Sequence, residues 1–282
     1  MRVCVTGSNG QVGTEVVELL SAGGNEVHAL GSLDVADESL ISPAVAAAAP
    51  DVVIHCAAYT DVDGCETDAA RAMRVNRDGV AVVASAADAV GAFLVAVSTD
   101  YVFDGEKPAP YVESDPTNPL CEYGRSKLAG EQLIDQTRHA VVRTSWVCGR
   151  VNRNVARTVL GFAAKGTPMK FVDDQRGHPT IARDLARGLA LIVEERRTGI
   201  WHMTNQGAVS WYEFAREVVE TAGFDPALVS PIATSELDPP RPARRPKNSV
   251  LDSERLASSE LLPDFRESLP NLVRALASAG RP

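Results

Sequence analysis

Residues 3–13 read Val3-Cys4-Val5-Thr6-Gly7-Ser8-Asn9-Gly10-Gln11-Val12-Gly13, and a helical pattern of apolar residues follows over 16–20. A buried strand, a glycine-rich turn and a helix in this order form the first unit of a dinucleotide-binding domain. We expect Gly7 to make the tight turn, Gly10 to let the backbone approach a pyrophosphate, and Gly13 to let the helix lie close to the strand. The pyrophosphate would rest against the helix N-terminus, where free N–H groups favour anions.

Apolar runs recur through residue 150 and predict further buried strands, at 26–30, 51–56, 93–98 and 140–146. Because helical stretches separate them, we predict a doubly wound parallel α/β sheet of the Rossmann type over residues 1–150. Ligands of such sheets bind beyond the carboxyl ends of the strands, and four segments fall at that edge: Gly7, Ala57-Ala58-Tyr59, Thr99 and Trp146.

The pattern changes after about residue 166. Residues 151–282 are predicted to form mainly a smaller C-terminal α/β substrate-binding lobe, with room for some segments to return to the first domain. Short strands are expected at 169–172 and 200–203, and helices near 181–196, 210–222 and 265–277. Arg241, Arg244 and Arg245 lie in a proline-rich stretch that is either a loop for an anionic ligand or a solvated linker.

The composition is that of an ordinary globular protein, with 45% apolar and 23% charged residues in a chain of 282. A net charge of −9 argues against nonspecific nucleic-acid binding, which needs a basic surface. No apolar run approaches the roughly 20 residues of a membrane span, and residues 1–20 already read as strand, turn and helix. We therefore expect no membrane partner and a cytoplasmic location. The five scattered cysteines indicate reduced thiols rather than a disulfide framework or a zinc site.

The stretch Tyr123-Gly124-Arg125-Ser126-Lys127 places a phenol and an ammonium four residues apart, on one face of a helix. A cation about 4 Å from the phenol favours the phenolate by about 4 kcal/mol at an effective dielectric of roughly 20. Lys127 is therefore predicted to lower the pKa of Tyr123 from about 10 towards roughly 7, where a general acid works best. A surface tyrosine and a surface lysine would give the same spacing, and the N-terminal unit favours the catalytic interpretation.

The choice between NADH and NADPH stays open. The second strand ends in Gly31-Ser32, without the acidic residue typical of NAD sites or the arginine typical of NADP sites. The missing carboxylate slightly favours NADPH. Asp34 and Val35 follow, and Asp34 either contacts the adenine or caps the helix over 38–48.

Together these motifs resemble the extended short-chain dehydrogenase/reductase superfamily, and within it the dTDP-4-dehydrorhamnose reductase family. The resemblance covers nearly the whole chain and rests on residues 10–13, 57–63, 98–105, 123–131, 143–147, 174–180 and 244–249. It implies NAD(P)H-dependent reduction of the 4-keto group of a dTDP-4-dehydro-6-deoxy-hexose, most closely dTDP-4-dehydro-L-rhamnose. Another nucleotide-linked 4-keto sugar remains an alternative substrate.

The resemblance also implies roles for individual residues. Tyr123 is the proton donor to the sugar C4 oxygen, Lys127 lowers its pKa and holds the nicotinamide ribose, and Thr99 hydrogen-bonds near the same oxygen. Asp100 and Trp146, with Thr99, would contact the nucleotide-sugar. The residues expected to hold the dinucleotide are Gly7, Asn9, Gly10, Gln11, Val12, Gly13, Asp34, Val35, Ala57, Ala58, Tyr59, Tyr123 and Lys127.

Some features are not fixed by the resemblance. Gly64, Arg176 and His178 depart from the family pattern at positions able to line the sugar pocket, so the exact sugar stays open. Some members use Mg²⁺, partly through acidic residues between subunits, but no ligands are assignable here. A homodimer is compatible with the resemblance. Asn76 matches a frequent superfamily position, and we interpret it as a buried asparagine bonded to backbone.

Two competing functions are considered. A 4,6-dehydratase or epimerase of the same superfamily is one, but dehydratases carry Asp-Glu after the threonine, whereas Asp100-Tyr101 follows Thr99 here. The other is a noncatalytic NADP-binding regulatory subunit, like the beta subunit of methionine adenosyltransferase. Retention of Thr99, Tyr123 and Lys127 together argues against it.

Overall fold

The computed structural model describes residues 1–279. Within that range the strands are β1 (Arg2–Thr6), β2 (Glu26–Ala29), β3 (Val52–His55), β4 (Phe93–Thr99), β5 (Ala140–Thr144), β6 (Val147–Cys148), β7 (Met169–Val172), β8 (Arg176–Gly177), β9 (Thr180–Ile181), β10 (Gly199–His202), β11 (Val209–Ser210) and β12 (Val229–Ile232). The α-helices are α1 (Gln11–Ala22), α2 (Glu38–Ala48), α3 (Val62–Thr67), α4 (Ala69–Met73), α5 (Gly79–Ala89), α6 (Glu122–Glu131), α7 (Val155–Ala163), α8 (Ala182–Glu194), α9 (Trp211–Thr221) and α10 (Phe265–Ala279).

The main sheet has six parallel strands in the order β10-β5-β4-β3-β1-β2. The order reverses direction at β1, which has β3 on one side and β2 on the other, as in a doubly wound fold. The predicted fold class is therefore confirmed. Strand β10 is the late segment that returns: it pairs with β5 and extends the sheet at the edge opposite β2.

Apolar residues that alternate along the central strands form a core on each face of this sheet. Val5, Ile54 and Val142 point to the face covered by α1 and α8, where Leu185 and Leu189 pack against them. Neighbouring residues in the same strands point to the other face, which α2 and α5 cover. Because both faces are buried, the strands read as continuous apolar runs.

A second core lies outside the main sheet. It is built from α7, α9 and α10, with Phe214, Phe265 and Leu269 fully buried or nearly so. Three two-stranded pairs accompany it: β7 with β12, β8 with β11, and β6 with β9. Helix α7 was not predicted, and the terminal helix runs to Ala279 rather than 277. None of the helices in the described part is long and apolar enough for a membrane span.

The start of α2 corrects one sequence interpretation. Asp37, and not Asp34, caps this helix, because its carboxylate accepts the Ser39 N–H at 3.0 Å. Asp34 instead accepts the Ala36 N–H and forms an ion pair with Arg74. Asp34 therefore stays at the surface, where Arg74 compensates its charge.

Candidate active site

The glycine-rich turn has the backbone geometry expected from its sequence. Gly7 adopts φ +63°, and a Cβ there would lie 2.6 Å from the Ala57 nitrogen. A Cβ on Gly13 would lie 2.3 Å from the Gly7 oxygen, so only glycine lets α1 approach the strand this closely. Gly10 begins the helix without a side-chain cap, so the first N–H groups of α1 are available to an anion.

The side chains around this turn are engaged within the protein. Gln11 Oε1 accepts the Gly149 N–H at 2.7 Å, and Asn9 Nδ2 donates to Ser32 Oγ at 3.1 Å. Val12 packs against the core next to α1. A ligand bound at this turn would therefore meet the backbone of these residues rather than free side-chain groups.

The segment that contains Asp34 and Val35 is also partly buried. Val35 is 3% exposed and belongs to the core under α5. A Cβ on Gly79 would lie 2.7 Å from its Cγ2, so the close approach of α5 fixes this residue. Asp34 next to it keeps its ion pair with Arg74, which lowers the pKa of Asp34.

Asn76 fixes the loop that follows β3. The Tyr59 N–H donates to Asn76 Oδ1 at 2.8 Å, and Asn76 Nδ2 donates to the Tyr59 carbonyl at 3.0 Å. The same amide nitrogen reaches Ser126 Oγ at 3.0 Å, which ties the Ala57–Tyr59 loop to α6. Asn76 lies in a π-helical turn over Arg74–Asp78, and its predicted bonding to backbone is confirmed.

Thr99 and Asp100 are joined by a hydrogen bond at the carboxyl end of β4, close to Tyr123. Thr99 Oγ1 donates to Asp100 Oδ1 at 3.0 Å and accepts the Tyr101 N–H at 3.2 Å. The Thr99 side chain lies near the Tyr123 phenol and acts to lower its pKa. The Tyr101 ring packs edge-on against that of Tyr123, with 5.6 Å between centroids.

Asp100 is a buried carboxyl rather than an exposed one. Only 1% of the residue is exposed, and its Oδ2 has no hydrogen-bond partner within the described residues. Burial raises the pKa of Asp100 to about 7, although the Thr99 hydrogen bond acts in the opposite direction. Asp100 therefore changes its charge near neutral pH, directly behind the threonine.

Lys127 lies on the same helix as Tyr123 and is 5% exposed. Its ammonium donates to the Val97 carbonyl at 2.8 Å. Burial lowers the pKa of Lys127 to about 8, and the charge of Glu131 partly opposes this change. Glu131 is itself held by a buried Arg143, whose Nη2 donates to Oε2 at 2.8 Å.

The predicted lowering of the Tyr123 pKa is not what the structure has. Burial raises the pKa of Tyr123 above its usual value of 10, and the charge of Asp100 adds to the increase, while Thr99 acts against it. A cation next to the phenol would lower this pKa, but desolvation opposes that change. Here the Lys127 ammonium bonds to the Val97 carbonyl, and removal of the phenol from water is the larger effect.

Trp146 is held by a second tryptophan. It lies beyond the end of β5 with φ +47°, and its ring stacks on that of Trp211 at 3.5 Å between centroids and 9° between planes. A Cβ on Gly177 would lie 2.6 Å from Trp146 Cε2, so the ring needs glycine at that position. The left-handed backbone of a bulky residue is strained, and such strain is found mainly at functional sites.

The three positions that depart from the family pattern have contacts of their own. Arg176 pairs with Glu213 on α9 at 3.2 Å. His178 is buried, and its Nδ1 lies 3.1 Å from Thr204 Oγ1. A Cβ on Gly64 would lie 2.4 Å from the Tyr59 hydroxyl. Arg176, His178 and Gly64 would therefore affect a sugar pocket through their contacts with Glu213, Thr204 and Tyr59.

Comparison with known proteins adds the decisive observation. The family model described as the RmlD substrate binding domain matches residues 1–278. The chain belongs to the RmlD substrate binding domain family.

Relatives agree with this membership over the full length. The dTDP-4-dehydrorhamnose reductase of Burkholderia thailandensis is 42% identical over 298 residues, which cover 99% of this chain and 100% of the relative. A crystal structure of a dTDP-4-dehydrorhamnose reductase from Clostridium acetobutylicum has a TM-score of 0.93 and 37% identity, and covers 98% of this chain and 100% of that one. The Bacillus anthracis enzyme, solved in complex with NADP, has a TM-score of 0.91 and 34% identity, with coverages of 96% and 98%. The family predicted from the sequence is confirmed.

Magnesium, which the resemblance associates with some RmlD-type proteins, has no evident site here. Across residues 1–279, no three His, Cys, Asp or Glu side chains are grouped so as to hold a metal ion. Glu15, the buried acidic residue of α1, pairs instead with Arg150 at 2.9 Å and Arg183 at 3.4 Å. The chemistry below is derived from the protein's own side chains.

Several residues of this RmlD-family site escaped the sequence analysis. Tyr101 and Trp211 were not singled out, and neither was the ion pair between Asp63 and Arg245. Aromatic residues at these positions give no periodic signal, and 182 residues separate the two members of the ion pair. The sequence does show the proline-rich arginine segment, which was the available indication that Arg245 belongs to an ordered loop.

Proposed function

We propose that this chain catalyses NAD(P)H-dependent reduction of the 4-keto group of a dTDP-4-dehydro-6-deoxy-hexose, with dTDP-4-dehydro-L-rhamnose as the substrate that fits best. The observation that carries the proposal is the position of Tyr123 and Lys127 on one helix, with the Tyr123 ring against Tyr101 and the hydrogen-bonded Thr99 and Asp100 at the end of β4. This set lies at the sheet edge where the glycine-rich turn also lies. The names of the full-length relatives support the same reaction.

In the proposed mechanism, Tyr123 gives its proton to the sugar C4 oxygen. Its raised pKa means that the phenol is protonated at neutral pH, as a proton donor must be. Thr99 lies beside the phenol, where its hydroxyl would stabilise the developing phenolate. A bound nicotinamide dinucleotide supplies the hydride, and the protein contributes position and the proton.

Lys127, four residues beyond Tyr123 on α6, would supply a positive charge to this step. When Tyr123 loses its proton, a phenolate forms in a buried site, and an ammonium on the same helix face stabilises it. The pair of Glu131 and Arg143 holds the helix from behind, and the Glu131 charge keeps Lys127 more readily protonated than burial alone allows. A neutral lysine would give up most of this stabilisation.

The dinucleotide would lie with its pyrophosphate at the N-terminus of α1, over the Gly7–Gly13 turn. Three observations fit this position: the uncapped N–H groups, the close approach at Gly13, and the compensated charge of Asp34. NADPH is the cofactor we favour, because Arg74 forms an ion pair with Asp34 and the B. anthracis relative was solved with NADP.

We further infer that the two parts of the chain bind different ligands. Residues 1–150 would bind the dinucleotide, together with α8 and β10, which pack on and pair with the main sheet. The remainder of 151–282 would form the substrate lobe around the second core. Trp146 and Trp211 would then stand between the two parts.

Oxidation of NADPH and NADH, followed at 340 nm with dTDP-4-dehydro-6-deoxy-L-mannose generated in situ, tests the proposal. We expect rapid oxidation and dTDP-L-rhamnose as the product. Oxidation only with another keto-sugar would change the substrate and keep the reaction. Tight dinucleotide binding without oxidation by any nucleotide-linked keto-sugar would contradict the proposal and favour a regulatory subunit.

A further inference from the structure

A row of buried polar side chains crosses the main sheet beneath α6. Ser98 of β4, Arg143 of β5 and His202 of β10 lie side by side in the parallel register, and each is at most 6% exposed. Glu131, from the last turn of α6, joins this row and is 4% exposed. Because burial of polar and charged groups costs stability unless each finds a partner, the partners of the row show what it holds in place.

The Glu131 carboxylate is the anion of the row, and both of its oxygens are held. Arg143 Nη2 donates to Oε2 at 2.8 Å, and Nε of the same guanidinium lies 3.1 Å from Oε1 and 3.2 Å from Oε2. The Ser98 hydroxyl donates to Oε1. A carboxylate that is bound by two nitrogens of one guanidinium has a fixed orientation, so the row holds the negative charge in one place.

His202 holds the guanidinium from its other side. Its Nδ1 lies 2.9 Å from the Asp252 carbonyl oxygen and 3.2 Å from that of Tyr111. Since carbonyl oxygens only accept hydrogen bonds, Nδ1 carries the proton, and Nε2 of the neutral ring is left as an acceptor. This Nε2 lies 3.5 Å from Arg143 Nη1, which is a donor. Burial lowers the pKa of His202, which keeps the ring neutral and the acceptor available.

Lys127 lies next to the anion of the row. It precedes Glu131 by four residues on α6, so the two side chains share a face of the helix. The Lys127 ammonium donates to the Val97 carbonyl at 2.8 Å, and Glu131 accepts from Ser98, the following residue of β4. The ammonium and the carboxylate therefore meet consecutive residues of one strand. Burial lowers the pKa of Lys127 to about 8, and the Glu131 charge acts against that change.

Two further titratable groups face Lys127, and both are neutral at pH 7. Cys56 follows β3, and burial raises the pKa of its thiol to about 12. His55 belongs to β3, and its removal from water lowers its pKa to about 3. Neither group therefore supplies a negative charge to the ammonium.

Charged groups on other elements that pack against α6 have partners of their own. On α3, Glu66 accepts a backbone N–H of α6 at 2.8 Å, and on α4 the Arg71 guanidinium lies over a tyrosine ring at 4.5 Å. Arg74 pairs with Asp34, and Asp100 accepts a threonine hydroxyl at 3.0 Å. The carboxylate of the row is thus left as the counter-charge of the buried ammonium.

We propose that Glu131 is a positioning residue that keeps Lys127 in its ammonium form during the proton transfer from Tyr123. Arg143 and His202 hold the Glu131 carboxylate for this purpose. The inference rests on the proposed function and deepens it, since it assigns the residues that set the charge used in the proton transfer. Without the carboxylate, burial would release the lysine proton at a lower pH, and a neutral lysine would not stabilise the phenolate.

NMR titration of Lys127 in the full chain measures this charge. The sequence holds five lysines, so a protein labelled with ¹³C in its lysine side chains gives five Cε signals, and Lys127→Met identifies the relevant one. The variants are Glu131→Gln and the double variant Glu131→Gln/Arg143→Met. The double variant also removes the buried arginine that the single variant leaves unpaired, so it allows the measurement even where the single variant does not fold.

Glu122→Gln is the matched control, because it removes the same charge from the same helix, where Glu122 pairs with the exposed Arg125. Lys127 should titrate near pH 8 in the wild type and in this control, and roughly one pH unit lower or more in both Glu131 variants. Activity should follow the charge. A pKa that falls from 8 to 7 lowers the protonated fraction at pH 8 roughly fivefold, so kcat should fall by the same factor at pH 8 and return towards the wild-type value at pH 6.

A pair of amide variants tests His202. His202→Gln places an amide oxygen near the position of Nε2, whereas His202→Asn places its amide near Nδ1 and lacks an atom that reaches Arg143. We expect His202→Gln to keep the wild-type titration of Lys127, and His202→Asn to lower its pKa in the direction of the Glu131 variants. Equal behaviour of the two amide variants would overturn the role of His202.

The possible failures are distinguishable. An unchanged titration of Lys127 in the Glu131 variants would overturn the inference and leave the reductase proposal standing. A lowered pKa of Lys127 without a parallel change in the pH profile of kcat would also overturn it, because the charge would then have no part in the reaction. A wild type that reduces no keto-sugar would contradict the reductase proposal, and with it the role of this charge, whatever the NMR titration shows.

Discussion

Lys127→Met is expected to abolish most activity and yet stabilise the folded protein at neutral pH. The pKa of Lys127 falls from an ordinary value of 10.5 to about 8 because the ammonium is buried. A tenfold change in an equilibrium constant is about 1.4 kcal/mol, so holding this charge costs the folded state about 3 kcal/mol below pH 8. The variant also loses the hydrogen bond to the Val97 carbonyl, which lowers its stability by about 1 kcal/mol. A net gain of about 2 kcal/mol remains.

The sign of the pH dependence follows from the same pKa. Between about 8 and 10.5 the unfolded chain keeps a proton on Lys127 that the folded protein has lost, so wild-type stability rises with pH in this window. The methionine variant lacks this rise. Its advantage over the wild type should therefore be largest at pH 7 and should shrink as the pH approaches 10.

Urea denaturation at pH 7 and at pH 9.5 measures both features. Lys165→Met is a matched control, because Lys165 is exposed and its substitution should leave the stability unchanged at either pH. A Lys127→Met variant that is less stable than the wild type, by the same amount at both pH values, would refute the reasoning. That result would mean that the contacts of the lysine outweigh the cost of burying its charge.

Three further predictions concern the proposed catalytic residues. Tyr123→Phe should lower kcat by about 10²- to 10⁴-fold and leave the dinucleotide dissociation constant nearly unchanged, since only the proton donor is lost; a variant with full turnover would remove Tyr123 from the mechanism. In the wild type, kcat should be higher below pH 7 than above it, because a neutral Asp100 does not raise the pKa of Tyr123. Asp100→Asn should abolish this step in the pH profile. The same step in the variant would assign it to another group. Trp211→Leu should raise the KM for the keto-sugar more than that for NADPH, because Trp211 supports the ring of Trp146; equal changes in both would contradict a role on the sugar side.

The sequence was sufficient for the parts of the site that depend on local spacing. The glycines at 7, 10 and 13 predict a turn and a close helix, and the Gly13 contact with the Gly7 oxygen is the physical reason. Tyr123 and Lys127 share a face of α6 because four residues are about one helical turn. Continuous apolar strands also predict the parallel sheet, since both of its faces are covered.

Features that depend on tertiary packing could not be predicted from local sequence spacing. The pKa of Tyr123 changes in the opposite direction from the one predicted, because burial depends on everything packed around the phenol and spacing says nothing about it. Strand β10 joins the main sheet although the local pattern of Gly199–His202 resembles that of the short strands around it. The stacking of Trp146 on Trp211 and the bidentate contact of Arg245 with Asp63 join residues far apart in the chain.

Transfer of deuterium from NADPH to the sugar C4 tests directly whether this chain is a 4-ketoreductase. The chain would be incubated with the dTDP-4-keto-sugar and NADPH carrying deuterium at the transferable C4 position, in ordinary water, and the product examined by mass spectrometry and NMR. We expect one deuterium at the sugar C4 with the wild type, and transfer about 10²- to 10⁴-fold slower with Tyr123→Phe under conditions where that variant still binds the dinucleotide. A product without deuterium at C4, or equal transfer by the Tyr123→Phe variant, would contradict this expectation.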